Sequence, residues 1–112
     1  MANTLNFNTL KKQYMTVTLP DEKQTVLMIG TPTKNTMTEV IHLERILSSG
    51  QVEDDIELMN DIYSVSAKIM SRNKAGITID KKYIEKYLDY EDIVVFFYSY
   101  VQFIGTLGNQ KN

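Results

Sequence analysis

The chain has 112 residues, 43% of them hydrophobic and 23% charged, a balance that supports one domain with a modest core and excludes global disorder. A net charge of −2 argues against non-specific nucleic-acid binding, which rests on neutralising phosphates with Lys and Arg. The absence of cysteine excludes disulfides, thiolate metal sites and cysteine nucleophiles.

Residues 1–13 are rich in Asn and Thr and lack periodicity. They read as an N-terminal arm, with Phe7 and Leu10 docked on the body. No basic stretch followed by an apolar one opens the chain, so no secretory leader is expected. From Tyr14 to Leu19 the residues alternate, with Met15, Val17 and Leu19 on one side and Thr16 and Thr18 on the other. Period two is the mark of a half-buried strand. Pro20-Asp21-Glu22-Lys23 supplies a four-residue loop, and Gln24 to Ile29 reads as the second strand of a hairpin.

Helices follow. Thr36-x-x-Glu39 has the spacing of a capping box and predicts a first helix to about residue 48, stopped at Ser48-Ser49-Gly50. Its apolar face carries Met37, Val40, Ile41 and Leu47. Glu53-Asp54-Asp55 opens the second helix with charges that suit the positive end of its dipole. Ile56, Leu58, Met59, Ile62, Tyr63, Val65, Ile69 and Met70 cover half of that wheel. Asn73 or Gly76 takes the left-handed cap. Thr78 or Asp80 starts a third helix with Tyr83, Ile84, Tyr87 and Leu88 inward. Asp89 caps a fourth, which Gly105 and Gly108 end, leaving a frayed tail over 106–112.

The predicted fold is therefore α+β and mostly helical, within a single domain spanning 1–112. A hairpin at about 14–29 precedes helices at about 36–48, 53–72, 79–88 and 90–105.

The fourth helix holds the most unusual segment, the uncharged run from Ile93 to Ile104. Twelve residues fall well short of the roughly 20 that span a bilayer, so no membrane partner is expected. Wound at about 100° per residue, the run puts Ile93, Phe97, Tyr100 and Ile104 at the centre of one face. Val95, Tyr98, Ser99 and Gln102 lie opposite, where a solitary helix would carry Lys or Glu. Val95, Tyr98 and Gln102 are accordingly the candidate partner interface.

Other polar clusters have plainer readings. His42 is the only histidine; it lies with Thr38 and Arg45 on the polar side of its helix and reads as solvated. Glu53, Asp54, Asp55 and Glu57 lack the loop spacing and glycine of a calcium site. Asp89, Glu91 and Asp92 read as helix-start charges, not as an acid and base pair. Lys81, Lys82 and Lys86 beside Tyr83 and Tyr87 offer the mixture that binds single strands, but the tyrosines fall on the apolar face. Gly30 and Gly76 belong to no phosphate-binding loop. No catalytic, cofactor or metal residues are expected, and the chain reads as no enzyme.

A family resemblance rests on segments spread along the chain. They are Leu5-Asn6-Phe7-Asn8-Thr9-Leu10-Lys11-Lys12, Thr16-Val17-Thr18-Leu19-Pro20-Asp21, Thr31-Pro32-Thr33-Lys34, Ser71-Arg72-Asn73-Lys74, and Asp92-Ile93 leading to Tyr100-Val101-Gln102-Phe103-Ile104. Together these resemble the tail assembly chaperones of long-tailed phages and prophages of low-GC Gram-positive bacteria. The resemblance implies a non-enzymatic helper in the host cytoplasm. Such a protein coats the long helical tape-measure protein, helps recruit the major tail protein, acts as a homo-oligomer and is absent from the finished virion. Six methionines and eleven aromatics suit an adaptable apolar binding face. A structural virion protein, of the tail-completion or connector type, is the alternative. The resemblance also implies a longer form made by ribosomal slippage, for which Gln110-Lys111-Asn112, if encoded CAA-AAA-AAT, contains the heptamer A-AAA-AAT; a plain polar tail is the other reading.

Overall fold

A computed structural model describes residues 4–50 and 56–108. The element order is β1 (Met15–Thr18), β2 (Val26–Ile29), α1 (Lys34–Ser49), α2 (Ile56–Ser71), α3 (Lys81–Tyr87) and α4 (Tyr90–Gly108). This is the α+β, mostly helical architecture expected, a hairpin followed by four helices.

β1 and β2 pair antiparallel, with Met15 opposite Ile29 and Val17 opposite Leu27. One face of the hairpin, with Leu27 and Ile29 fully buried, lies on the core. The other shows Thr16, Thr18, Val26 and Met28 to solvent. The connection is longer than four residues. Asp21 accepts a turn bond from the Gln24 N–H, and Gln24 adopts a left-handed φ of 50°, which delays the second strand to Val26. Beyond β2, the segment after α2 closes onto the strand's edge. The Gly30 N–H donates to Arg72 O and the Lys74 N–H to Met28 O, both at 2.9 Å.

The hairpin loop is also tied to α3. Asp21 accepts from the Thr25 hydroxyl at 2.7 Å, the Thr25 N–H at 2.8 Å and the Tyr83 hydroxyl at 2.7 Å. These bonds, those of Thr25 first, hold the Asp21 carboxyl down at about 2. A depressed folded value means the tie contributes fully above the ordinary carboxylate range and is lost as pH falls toward 2. Asp21→Asn is therefore expected to lower the urea midpoint at pH 6, and the gap from the unmodified chain should close near pH 2. A gap that persisted unchanged at low pH would mean that ionisation of Asp21 does not matter to the tie.

Helix ends depart from the sequence reading in instructive ways. The α1 N-cap is Thr33, not Thr36: its hydroxyl accepts from the Thr36 N–H, and its carbonyl takes the first helical bond from Met37. The helix thus starts at Lys34. It ends as expected at Gly50, which is left-handed at φ 74°. Residues 53–55 of the expected second helix lie outside the described residues. Gly76, not Asn73, takes the left-handed conformation after α2, while the Asn73 side chain bonds Met70 O and both backbone groups of Ile77. Asp80 caps α3, which begins at Lys81 and not at 79. Asp89 and Asp92 cap α4 reciprocally, each side chain accepting the other's backbone N–H. α4 runs through Gly105 to Gly108, where a frayed tail from 106 was expected; Leu107 is half-buried on its last turn. Residues 109–112 lie outside the described residues.

One core draws on every helix and the hairpin. α2 is central and packs on α1, α3, α4 and β2. Ile29, Ile62, Ile84, Ile93, Phe97 and Tyr100 have no exposed surface. Leu43, unremarked in the sequence pattern, is buried on α1. Three expectations fail. Ile56 is 77% exposed at the start of α2, Ile41 of the expected α1 face is exposed, and the arm does not dock: Phe7 is 70% exposed and Leu10 also faces solvent.

Candidate functional site

α4 divides as its wheel requires. Ile93, Phe97 and Tyr100 are sealed inside, and Ile104 is half-buried. Val95 is 60% exposed, Tyr98 is 38% exposed, and Ser99 and Gln102 also face solvent. Val95, Tyr98 and Gln102 thus share an uncharged outer arc. The inner face is anchored by Tyr100, whose hydroxyl donates to Gly30 O at 2.8 Å and ties α4 to the end of the hairpin. Burial pushes that phenol up to about 12.

Beside the arc lies a groove of about 690 Å³. One wall is β1 itself, from Met15 to Pro20. Residues of both strand faces line it and none of β2 does, so the wall is the edge of β1 away from its partner. Among the described residues no third strand pairs with that edge. The opposite wall comes from α4 through Glu91, Asp92, Val95, Phe96 and Ser99, and Met70 and Leu88 lie between. The half-buried Met15 gives the groove adaptable surface, over a floor that includes the buried Met70. Its charged lining is entirely acidic. A second, smaller cleft of about 330 Å³ separates α1 from the last turns of α4, lined by Met37, Ile41 and Ile104 among others.

The sequence indicated the α4 wall and missed the β1 wall. It also missed the outward alternation of Val26 and Met28, which period-two counting along β2 would have found.

The remaining candidates resolve into structural roles. His42 is exposed on α1. Tyr83 and Tyr87 pack on one another with ring centroids 4.7 Å apart, and Tyr83 is committed to Asp21, so they form no open stacking platform. Burial, then the bond to Asp21, raises the Tyr83 phenol well above its ordinary value. Lys81 reaches Asn60 at 3.2 Å, and Lys86 sits over the Tyr87 ring. Glu57 is exposed, while Glu53, Asp54 and Asp55 lie outside the described residues. At Gly30 an added side-chain carbon would meet the Tyr14 ring at 3.7 Å. Among the described residues no three His, Asp or Glu side chains converge as a metal site, and no helix is long and apolar enough to cross a membrane.

Comparison with models of known families, with curated proteins and with solved structures gives no match for this chain.

Proposed function

We propose that this protein is a non-enzymatic phage tail assembly chaperone. It acts in the cytoplasm of the bacterial host, binds the apolar stripe of a tape-measure protein, and is left out of the finished virion. The observation that carries this reading is the outer arc of α4. Val95, Tyr98 and Gln102 form an exposed, uncharged helical surface beside a methionine-lined groove, where a helix without a partner would place charge. An amphipathic client helix is recognised by such a surface, apolar side to apolar side.

The test pairs Tyr98→Glu with a helical fragment of the tape-measure protein. The variant is expected to keep its helical circular dichroism and its stability within about 0.5 kcal/mol, as an exposed position does. Its affinity for the fragment should fall about tenfold or more, because a charge would enter the contact. Unfolding would place Tyr98 in the core, and unchanged affinity would remove the arc as the client site. Mass spectrometry of purified virions tests the wider reading. A chaperone is missing there, whereas a fixed copy number would favour a tail-completion or connector protein.

A further inference from the structure

We infer that the groove between β1 and α4 receives the N-terminal arm of a second copy of this chain. The inference does not depend on the identity of any client. It starts from two surfaces that are each unfinished. The groove has, among the described residues, an open strand edge along one side and, along the other, the exposed Val95 with Phe96 beside the acids Glu91 and Asp92. The arm has Leu5 at 66% and Phe7 at 70% exposure, with Leu10 also exposed. Such side chains gain by being removed from water. An unpaired strand edge in turn accepts the backbone of an added segment.

Phe7 is presented, not loosely dangling. Asn6 accepts from the Asn8 N–H through its side chain at 2.9 Å, and its carbonyl accepts from the Thr9 N–H at 3.1 Å. The resulting turn puts Phe7 at its first corner. Asn and the turn bonds hold that shape locally, which lowers the cost of ordering it in a partner's groove.

Charge agrees in sign. Over residues 4–13 the arm carries Lys11 and Lys12 and no acid. The groove carries Glu91 and Asp92 and no base. Both acids lie on the first turn of α4, so the arm's lysines have a defined place to meet.

The arm's root explains why the occupant comes from another copy. Lys12, Gln13 and Tyr14 line a cleft with Gly30 and residues 71–74, on the β2 side of the hairpin. Tyr14 and Gly30 line that cleft together, and the Lys74 ammonium sits over the Tyr14 ring at 5.6 Å. The arm therefore leaves the body away from its own groove, which borders the opposite strand edge. Arm and groove are different surfaces of one chain, so each copy both gives and receives. Reciprocal exchange closes a two-fold pair, and one-way exchange adds copies head to tail.

Sedimentation velocity of the full-length protein over a wide concentration range tests this, with no client present. The unmodified chain is expected to associate further as concentration rises. Phe7→Glu, at an exposed position of the arm, should stay folded and lose association about tenfold or more. Val95→Glu, on the groove wall, should do the same. Mixed in equal amounts, these two variants should form a one-to-one complex and nothing larger, since only one arm and one groove remain competent. Lys11→Glu should weaken association and Glu91→Lys restore it in the same chain. A monomer at every concentration, a Phe7→Glu variant that associates normally, or a mixture with no one-to-one complex would each overturn the assignment.

Discussion

Replacing Phe97 by alanine is expected to cost about 3–5 kcal/mol of folding stability, the range for truncating a fully buried phenylalanine. Phe97 has no exposed surface and belongs to the cluster that joins α4 to α1, α2 and the hairpin. The loss has two parts: the apolar area no longer removed from water, and the cavity that rigid neighbours leave behind. Total stabilities of proteins this size run from about 5 to 15 kcal/mol, so the loss is a large share of the total and should shift the unfolding midpoint clearly. Urea denaturation of the two proteins measures the difference. Val95→Ala, two positions earlier and exposed, is the internal control and should change stability by less than about 0.5 kcal/mol. If both substitutions cost the same, the helix is not packed by the face described.

Tyr100→Phe removes one oxygen and should cost about 1–3 kcal/mol, because the Gly30 carbonyl then loses its donor while the ring packing stays. The effect is larger than an exposed hydrogen bond would give, since the Tyr100 side chain is sealed from solvent. The same substitution has a signature in alkali. The folded phenol is held up to about 12, above its ordinary value of 10.0, so the unfolded chain gives up the proton first. The hydroxyl's contribution is therefore complete below about pH 10 and lost as pH rises toward 12. Tyr63 and Tyr83 are also raised, so the unmodified protein alone would not isolate the residue. The stability difference between the two proteins does. It should be constant from pH 7 to 9 and shrink above 10. A difference near zero at pH 7 would mean that water replaces the tyrosine bond at no cost.

The parts of this fold that sequence made legible are those governed by local period. Met15, Val17 and Leu19 alternate with two threonines, and the strand lies as that alternation demands. On α4, a 100° wheel separates the sealed Ile93, Phe97 and Tyr100 from the exposed Val95, Tyr98 and Gln102. Local capping was less decisive. Thr33 and Thr36 both sit three residues before a possible partner, and only the bond from Met37 to the Thr33 carbonyl chooses between them. Juxtaposition was not legible at all. Nothing in the spacing of Ile56, Phe7 or Leu10 reveals that no neighbour covers them, for burial depends on residues distant in the chain. The groove is of the same kind. Its helical wall followed from a missing charge, but its strand wall depends on how β1 meets α4.

The bond between Tyr100 and Gly30 spans 70 residues, and this has a consequence for synthesis. The hairpin and α2, which packs on β2, are translated before α4 brings the Tyr100 hydroxyl to Gly30. Two strands alone are marginal in water, so the nascent hairpin depends on α2 for its first cover, and the core stays incomplete until α4 brings Phe97 and Tyr100. Closure must then join the two ends of the described fold, a long-range step of the sort that slows folding. A chain halted before residue 93 is therefore expected to be more open to proteolysis than one that extends past 108. Acquisition of the native state is thus expected to wait for α4 and not to be complete once α2 has formed.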